Sequence, residues 1–295
     1  MKIFYINKFK FYIIFFAFAL LLISGLYYVF AKENSVQVPY FNQENIYSSS
    51  EKIAYLTFDD GPNNTITPKI LEILDKLQVK ANFFVIGKQV SKYPEVVSKI
   101  YKSGHFIGNH GYSHNNNELY KSKEAFFNEI NLTDEAIGKA IGIDNFCSHV
   151  FRCPNGSMSK INYSRKQKCL KYLPKIDYTY VDWNVLNNDS MKKYSKKELF
   201  NNLKKSSENK GSIIILMHDS GDVNNTYDVL EDSINYLKSQ GYEFRTFYDF
   251  FWNTNLLTQI PLLFRLLHNH YLLLNIFGIF LVLFFHLFLF LYLPI

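Results

Sequence analysis

Four short stretches of the chain carry side chains able to do hydrolytic chemistry. The first is Thr57-Phe58-Asp59-Asp60-Gly61-Pro62. Two adjacent carboxylates repel unless a cation sits beside them. A glycine next to them lets the backbone break so that both can face one cavity. Alone, the stretch also has the composition of an ordinary Asp-Gly turn. The second is His110-Gly111-Tyr112-Ser113-His114. Histidines at i and i+4 share one face of a helical turn and can hold a single metal ion. With Asp60 they form a two-histidine, one-carboxylate set, which leaves coordination positions open, as a catalytic metal requires. The third is Arg152-Cys153-Pro154-Asn155-Gly156. An arginine here can hold a neighbouring carboxylate ionised and oriented, and the turn after it can offer a backbone N–H to an oxyanion. The fourth is Leu216-Met217-His218-Asp219. A histidine at that place can serve as a general acid, and Asp189 is a candidate to orient it and raise its pKa. His105 reads instead as a packing residue near a strand start.

These residues need elements that aim them at one place. Apolar and β-branched runs predict strands over 53–58, 82–86, 105–109, 150–152, 178–182, 212–217 and 244–247. Helical spacing predicts helices over 68–77, with Thr67 as N-cap, and over 94–103, 122–141, 196–206 and 227–239. Strand–helix alternation argues for a parallel sheet covered by helices. The segment is short beside the roughly 250 residues of a full (β/α) barrel. The expected fold is therefore α/β, a distorted or incomplete (β/α) barrel. In that architecture chemistry sits at the C-terminal ends of strands, and every one of the four stretches falls just after a predicted strand.

The chain has 295 residues, 48% hydrophobic and 20% charged, which excludes a disordered or fibrous protein. Lys plus Arg number 32 against 26 acidic residues, a formal charge of +6. Aromatic-interleaved basic repeats are missing, so no nucleic-acid partner is expected, and no protein partner is indicated. Three cysteines without a CxxC pair make neither a disulfide scaffold nor a zinc ribbon. Residues 11–31 contain no charge and follow Lys2, Lys8 and Lys10. That length spans a bilayer, and the basic flank stays cytoplasmic. The expectation is an uncleaved anchor with the rest of the chain outside the cell. A cleaved signal peptide ending at Val29-Phe30-Ala31 is the alternative. Residues 271–295 lack Asp, Glu, Lys and Arg and also meet the spanning criterion, so membrane lipid is an expected partner at both ends.

Thr-Phe-Asp-Asp-Gly-Pro, His-x-x-x-His, Arg-x-Pro-x-Gly and Leu-x-His, in this order, resemble the motifs of the polysaccharide deacetylases of carbohydrate esterase family 4, the NodB-homology domain. The resemblance covers about 51–247. Together with the hydropathy and charge pattern, it divides the chain into a basic N-terminus (1–10), the anchor (11–31), a linker (32–50), the deacetylase domain (51–253) and the C-terminal hydrophobic segment (271–295). It implies a hydrolase that removes acetyl groups from N-acetylated sugars with a divalent metal, zinc in the first place, with cobalt, nickel or manganese as alternatives. By the same resemblance, Asp60, His110 and His114 would hold the metal, and Asp59 would be the general base, positioned by Arg152. The Asn155 N–H would stabilise the oxyanion. His218 would protonate the leaving amine with Asp189 behind it, and Leu216 would line the pocket for the acetyl methyl. The implied substrate is an envelope glycan, peptidoglycan N-acetylglucosamine before exopolysaccharide or chitin-like oligomers. A non-catalytic glycan-binding relative is the rival reading.

The chain departs from the family pattern at four places. Gly111 stands where Ser or Thr is frequent, Asn155 and Ser190 where aromatics are frequent, and Cys153 between Arg152 and Pro154. Loss of the aromatics weakens the usual sugar-stacking surface. Trp183 could replace part of that wall, but a core position is expected for it. In an exported domain one cysteine pair could oxidise, with Cys147 and Cys169 the expected pair.

Overall fold

Two strands with no polar alternation stand at the centre of the molecule. β1 (Ile53–Asp59) is buried at all 7 positions and β7 (Ile213–His218) at all 6. Burial on both faces is the condition of a central parallel strand, and it selects continuous apolar sequence. The computed structural model describes residues 43–190, 194–220 and 226–252. Around the central pair lie β2 (Asn82–Val85), β3 (Phe106–Asn109), β4 (Val150–Phe151), β5 (Thr179–Tyr180), β6 (Val185–Leu186) and β8 (Glu243–Phe244). The order is β5-β4-β3-β2-β1-β7-β6, with β8 beside the start of β1, and every pairing is parallel. Among the described residues the end strands β5 and β6 do not pair, so the barrel is incomplete, as expected. Register then does the positioning. Asp59 is level with His218 on one side and with Phe84 on the other, and Asn109 is level with Phe151. The catalytic candidates are thereby gathered at one end of the sheet.

Helices Ile66–Lys76, Pro94–Lys102, Lys123–Ile141, Lys196–Ser207 and Thr226–Ser239 turn their apolar faces to the sheet. Ile70, Leu74, Val97, Ile100, Leu230 and Ile234 pack with Leu56, Phe58, Ile215 and Met217 in the main core. A second cluster joins Tyr120, Phe126 and Phe151 to Cys153 and Cys169. Helix Lys123–Ile141 starts where the Ser122 side chain accepts from the Ala125 N–H and stops at Gly142, φ 75°, the left-handed cap that glycine adopts without cost.

Several local expectations are corrected. Thr67 is not a cap. The helix begins at Ile66, and Asn63 Oδ1 accepts from the Thr65 and Ile66 N–H groups at 2.8 and 2.6 Å. The run over 178–182 resolves into the short β5, with β6 following. Helices Gly87–Lys92 and Tyr163–Leu170 are additional. All three cysteines are free thiols, so the Cys147–Cys169 pairing is not made. Cys169 sits in the second core cluster beside Cys153, and Cys147 lies at its margin, 3.5 Å from His149 Nδ1. Among the described residues no helix is long and apolar enough to cross a membrane. The expected spans 11–31 and 271–295 lie outside the described residues.

Candidate active site

The strand ends enclose a cavity of about 380 Å³. Asp59, Asp60, His110, His114, Asn155, Asp189, Leu216 and His218 all line it. Arg152 stands directly behind Asp59. The nine residues singled out in the sequence therefore converge.

Asp59 ends β1, and Asp60 leaves strand geometry at φ 76°. The break falls on Asp60 rather than on the glycine after it. Gly61 answers a different need. A Cβ there would lie 2.1 Å from Asp219 Oδ2, closer than atoms can approach. Asp219 is fully buried, takes a 2.6 Å hydrogen bond from Thr67 Oγ1 and donates its N–H to Asp59 O at 3.1 Å. Burial, with the charges of Asp60 and Asp59, pushes its carboxyl up to about 7. Asp219 is a structural partner of the Asp-Asp-Gly turn that sequence reading did not single out. Only its place after His218 marks it.

Asp60 Oδ1 lies 3.3 Å from His110 Nε2 and 3.0 Å from His114 Nε2. It is nevertheless buried and aligned as a hydrogen-bond acceptor to neither ring. His110 Nδ1 is 2.8 Å from Arg152 O. A carbonyl only accepts, so Nδ1 carries a proton and Nε2 is the ring nitrogen turned toward Asp60. One ligand atom from each of the three residues falls within 4.8 Å of the others. Three ligand atoms converging this closely are what a divalent cation fits, and the donor set, two imidazoles and a carboxylate, suits zinc. Burial opposes the Asp60 charge, but the two imidazoles prevail and hold its carboxyl well below the usual range. His114 shifts the other way: desolvation lowers it, but the hydrogen bond and charge of Asp60 outweigh that and raise it.

The histidines do not share a helical face, as their spacing suggested. The segment between them is irregular, with left-handed φ at Gly111 (80°) and His114 (55°). The loop geometry brings the two rings together, with centroids 5.1 Å apart.

Arg152 is wholly buried (0% exposed). Its Nη1 donates to Asp59 Oδ1 at 2.9 Å and to Thr57 Oγ1. Nε donates to Val181 O at 3.2 Å and Nη2 to Asp182 O at 3.1 Å. Its guanidinium lies 4.0 Å from the centre of the Phe84 ring. Removing either member of such a buried pair costs on the order of 3–5 kcal/mol, because the other charge is stranded. Asp59 is thus a fixed, buried carboxylate with one oxygen toward the cavity, 4.0 Å from His110 Nε2.

The loop after Arg152 runs through Asn155 and Gly156, both left-handed at φ 64° and 80°. Lys166 Nζ donates to Gly156 O at 2.6 Å, and Asp182 accepts from the Ser157 N–H at 2.9 Å. Trp183 is not a core residue. It lines the cavity, lies against Gly156, where an added Cβ would meet its ring at 2.9 Å, and sits 5.7 Å from the Arg152 guanidinium. The hydrogen bonds of Arg152 to the two carbonyls before it turn it out of the core. It provides an aromatic wall in a site where Asn155 and Ser190 do not.

His218 ends β7. Its Nδ1 meets Asp189 Oδ1 at 2.7 Å, and its N–H donates to Asp189 Oδ2 at 2.8 Å. Burial works against its charge, but the Asp189 bond and the negative charges of Asp189, Asp59 and Asp60 raise it to about 9. The cavity thus sets a carboxylate acceptor opposite a protonated imidazole donor, the pair that an acid–base hydrolysis uses. His105 does none of this. Its Nδ1 accepts from the Ala81 N–H at 3.1 Å, and burial lowers it to about 4, so it packs as a neutral ring.

A polysaccharide deacetylase family model matches residues 47–181. A peptidoglycan-N-acetylmuramic acid deacetylase of Bacillus subtilis is 32% identical over 204 residues, 68% of this chain and 72% of that protein. The chain belongs to the polysaccharide deacetylase family. Another relative, a peptidoglycan-N-acetylglucosamine deacetylase of Bacillus cereus, is 35% identical over 194 residues, 65% of each chain. The chain spans about two thirds of the length of the curated relatives it matches. Among solved structures, a carbohydrate esterase family 4 enzyme of Streptococcus mutans superposes with a TM-score of 0.62 at 27% identity, covering 69% of this chain and 88% of that one. The incomplete parallel barrel described above is thus the fold of this family.

Proposed function

We propose that the chain hydrolyses N-acetyl groups of an N-acetylated cell-wall polysaccharide, with the N-acetylglucosamine of peptidoglycan as substrate. One observation carries the reading: Asp59, Asp60, His110, His114 and His218 line a single cavity. Kinship with deacetylases named for peptidoglycan supports the polymer class.

In this reading Asp60, His110 and His114 hold a divalent cation, zinc first among the candidates. The cation, when bound, supplies Lewis-acid polarisation of the acetyl carbonyl. Asp59, oriented by its ion pair with Arg152, accepts a proton from the attacking water as the water oxygen bonds to the carbonyl carbon. The Asn155 N–H faces the developing oxyanion. His218, charged at neutral pH beside Asp189, delivers its proton to the sugar nitrogen as the C–N bond breaks. Acetate and a free amino sugar result. Leu216 and Trp183 form the apolar wall beside the acetyl methyl and the sugar. The domain works outside the cell, anchored in the membrane by 11–31 and, by the same hydropathy argument, by 271–295.

Acetate release by the full chain from intact sacculi and from N-acetylglucosamine oligomers tests the proposal, with zinc and with chelator. Chelator-sensitive release is expected, faster on sacculi. Asp59→Asn should cut kcat by about 100- to 10 000-fold, the range of a lost general base, while zinc binding persists. A zinc-loaded protein that frees no acetate from either substrate would sink the reading, and preference for the oligomers would move it to chitin-like polymers.

A further inference from the structure

We infer that Glu129 is a positioning residue for the two histidines, acting through the backbone between them. The inference rests on reading Asp60, His110 and His114 as a cation site. Gly111, Tyr112 and Ser113 belong to no helix or strand, so their amides lack ladder partners and must be satisfied otherwise. Side chains take all three. The Gly111 N–H donates to Asn109 Oδ1 at 2.9 Å. The Tyr112 and Ser113 N–H groups both donate to Glu129 Oε2, at 2.8 and 2.7 Å. From the opposite side, the Gly87 and Lys88 N–H groups donate to Gly111 O and Tyr112 O, both at 3.0 Å. The loop is held on two sides, and Glu129 is the one charged group in the clamp.

Glu129 stands on helix Lys123–Ile141, 9% exposed, and no basic side chain pairs with it among the described residues. Its carboxylate is thus committed to the two amides. Bonds from N–H to an ionised acceptor are roughly twice as strong as neutral ones. The same helix reaches the loop a second time. Asn109, whose oxygen holds Gly111, is itself fixed by Nδ2 bonds to Ile130 O at 2.9 Å and Asp134 Oδ1 at 3.0 Å. A long, capped helix therefore sets the path from His110 to His114, including the left-handed turn at His114 that brings its Nε2 to 3.0 Å from Asp60 Oδ1. Affinity for a cation depends on such prior placement of ligands. Loss of an outer support costs about 10- to 100-fold in metal affinity.

The test compares full-length Glu129→Ala, Glu129→Gln and Glu135→Gln, the last an exposed carboxylate on the same helix. Three quantities are read: zinc affinity by competition with a chromophoric chelator, hydrogen exchange of the 110–115 peptide in metal-free protein, and the metal-free melting temperature. Glu129→Ala should bind zinc about 10- to 100-fold more weakly and exchange faster at 110–115. Glu129→Gln, which keeps an acceptor oxygen without its charge, should fall between. Glu135→Gln should match the parent in all three. If Glu129→Ala does not fold, Glu129→Gln alone decides, on the same two readouts. Zinc affinity within twofold of the parent, or unchanged exchange at 110–115, would overturn the inference. A parent protein that takes no zinc would refute the cation reading instead, while faster exchange in Glu129→Ala would still establish the clamp.

Discussion

At the scale of single residues, the chemistry depends on which group holds its proton at neutral pH. His218 is held at about 9 because Asp189, Asp59 and Asp60 outweigh its burial. A general acid works only while protonated, so the proposed activity should fall as pH rises through that value. Asp189→Asn removes the nearest charge and leaves burial, which acts downward. The alkaline limb of the kcat/KM profile should then move from about 9 toward or below the ordinary histidine value of about 6.5. An unmoved limb would mean that another group donates the proton. The same shift has a consequence for stability. A histidine whose folded pKa is raised contributes stability that is full below its unfolded pKa and is lost as pH rises through the folded one. Asp189→Asn should therefore destabilise the fold more at pH 6 than at pH 10.

At the scale of elements, the turn after β1 shows how a close approach fixes a residue type. Gly61 is required by the Asp219 carboxylate 2.1 Å from where its Cβ would stand, and Thr67 pins that carboxylate. Gly61→Ala should cost about 1–3 kcal/mol, as overpacking in a well-filled interior does. Asp219→Ala in the same chain should recover part of the loss, and denaturant unfolding of the two single variants and the double measures it. Strict additivity would show that this contact is not the cause, since only neighbours couple. The turn also marks what the sequence could and could not disclose. β1 and β7 were legible because burial on both faces leaves an unbroken apolar run, and the four motifs were legible because each ends a strand. β5 and β6 have two residues each, too few for a period, and exist only through their neighbours. The His-x-x-x-His spacing suggested a helix because helical spacing is the common way to align two side chains. Here Glu129 and Asn109, tertiary partners, impose a loop. Trp183 reads as a core residue from its type alone, but its place depends on Arg152 and Gly156, remote or silent in sequence.

At the scale of the whole molecule, the candidate cation site joins elements that do not touch in the sheet. Asp60 follows β1 and the histidines follow β3, with β2 between them. Arg152, after β4, closes the group from behind through its carbonyl bond to His110 and its guanidinium bond to Asp59. An ion bound there ties separate strand ends in the folded state and finds no such set in the unfolded chain. Its binding energy is therefore folding energy. Free zinc at one hundred times its dissociation constant stabilises by about 2.7 kcal/mol. For a domain of this size each kcal/mol raises the melting temperature by about 2–4 °C, so chelation should lower it by roughly 5–10 °C and zinc should restore it. The difference must also depend on pH in a fixed sense. Both imidazoles have to be neutral to bind the ion, and His114 is raised by Asp60 in the metal-free protein. Protons therefore compete with zinc, and the gap between loaded and chelated protein should be widest above neutrality and close as the pH falls toward 5. His110→Ala should abolish the gap at every pH. Equal melting temperatures with and without chelator at pH 8 would leave the three converging side chains as a hydrogen-bonded cluster and no more.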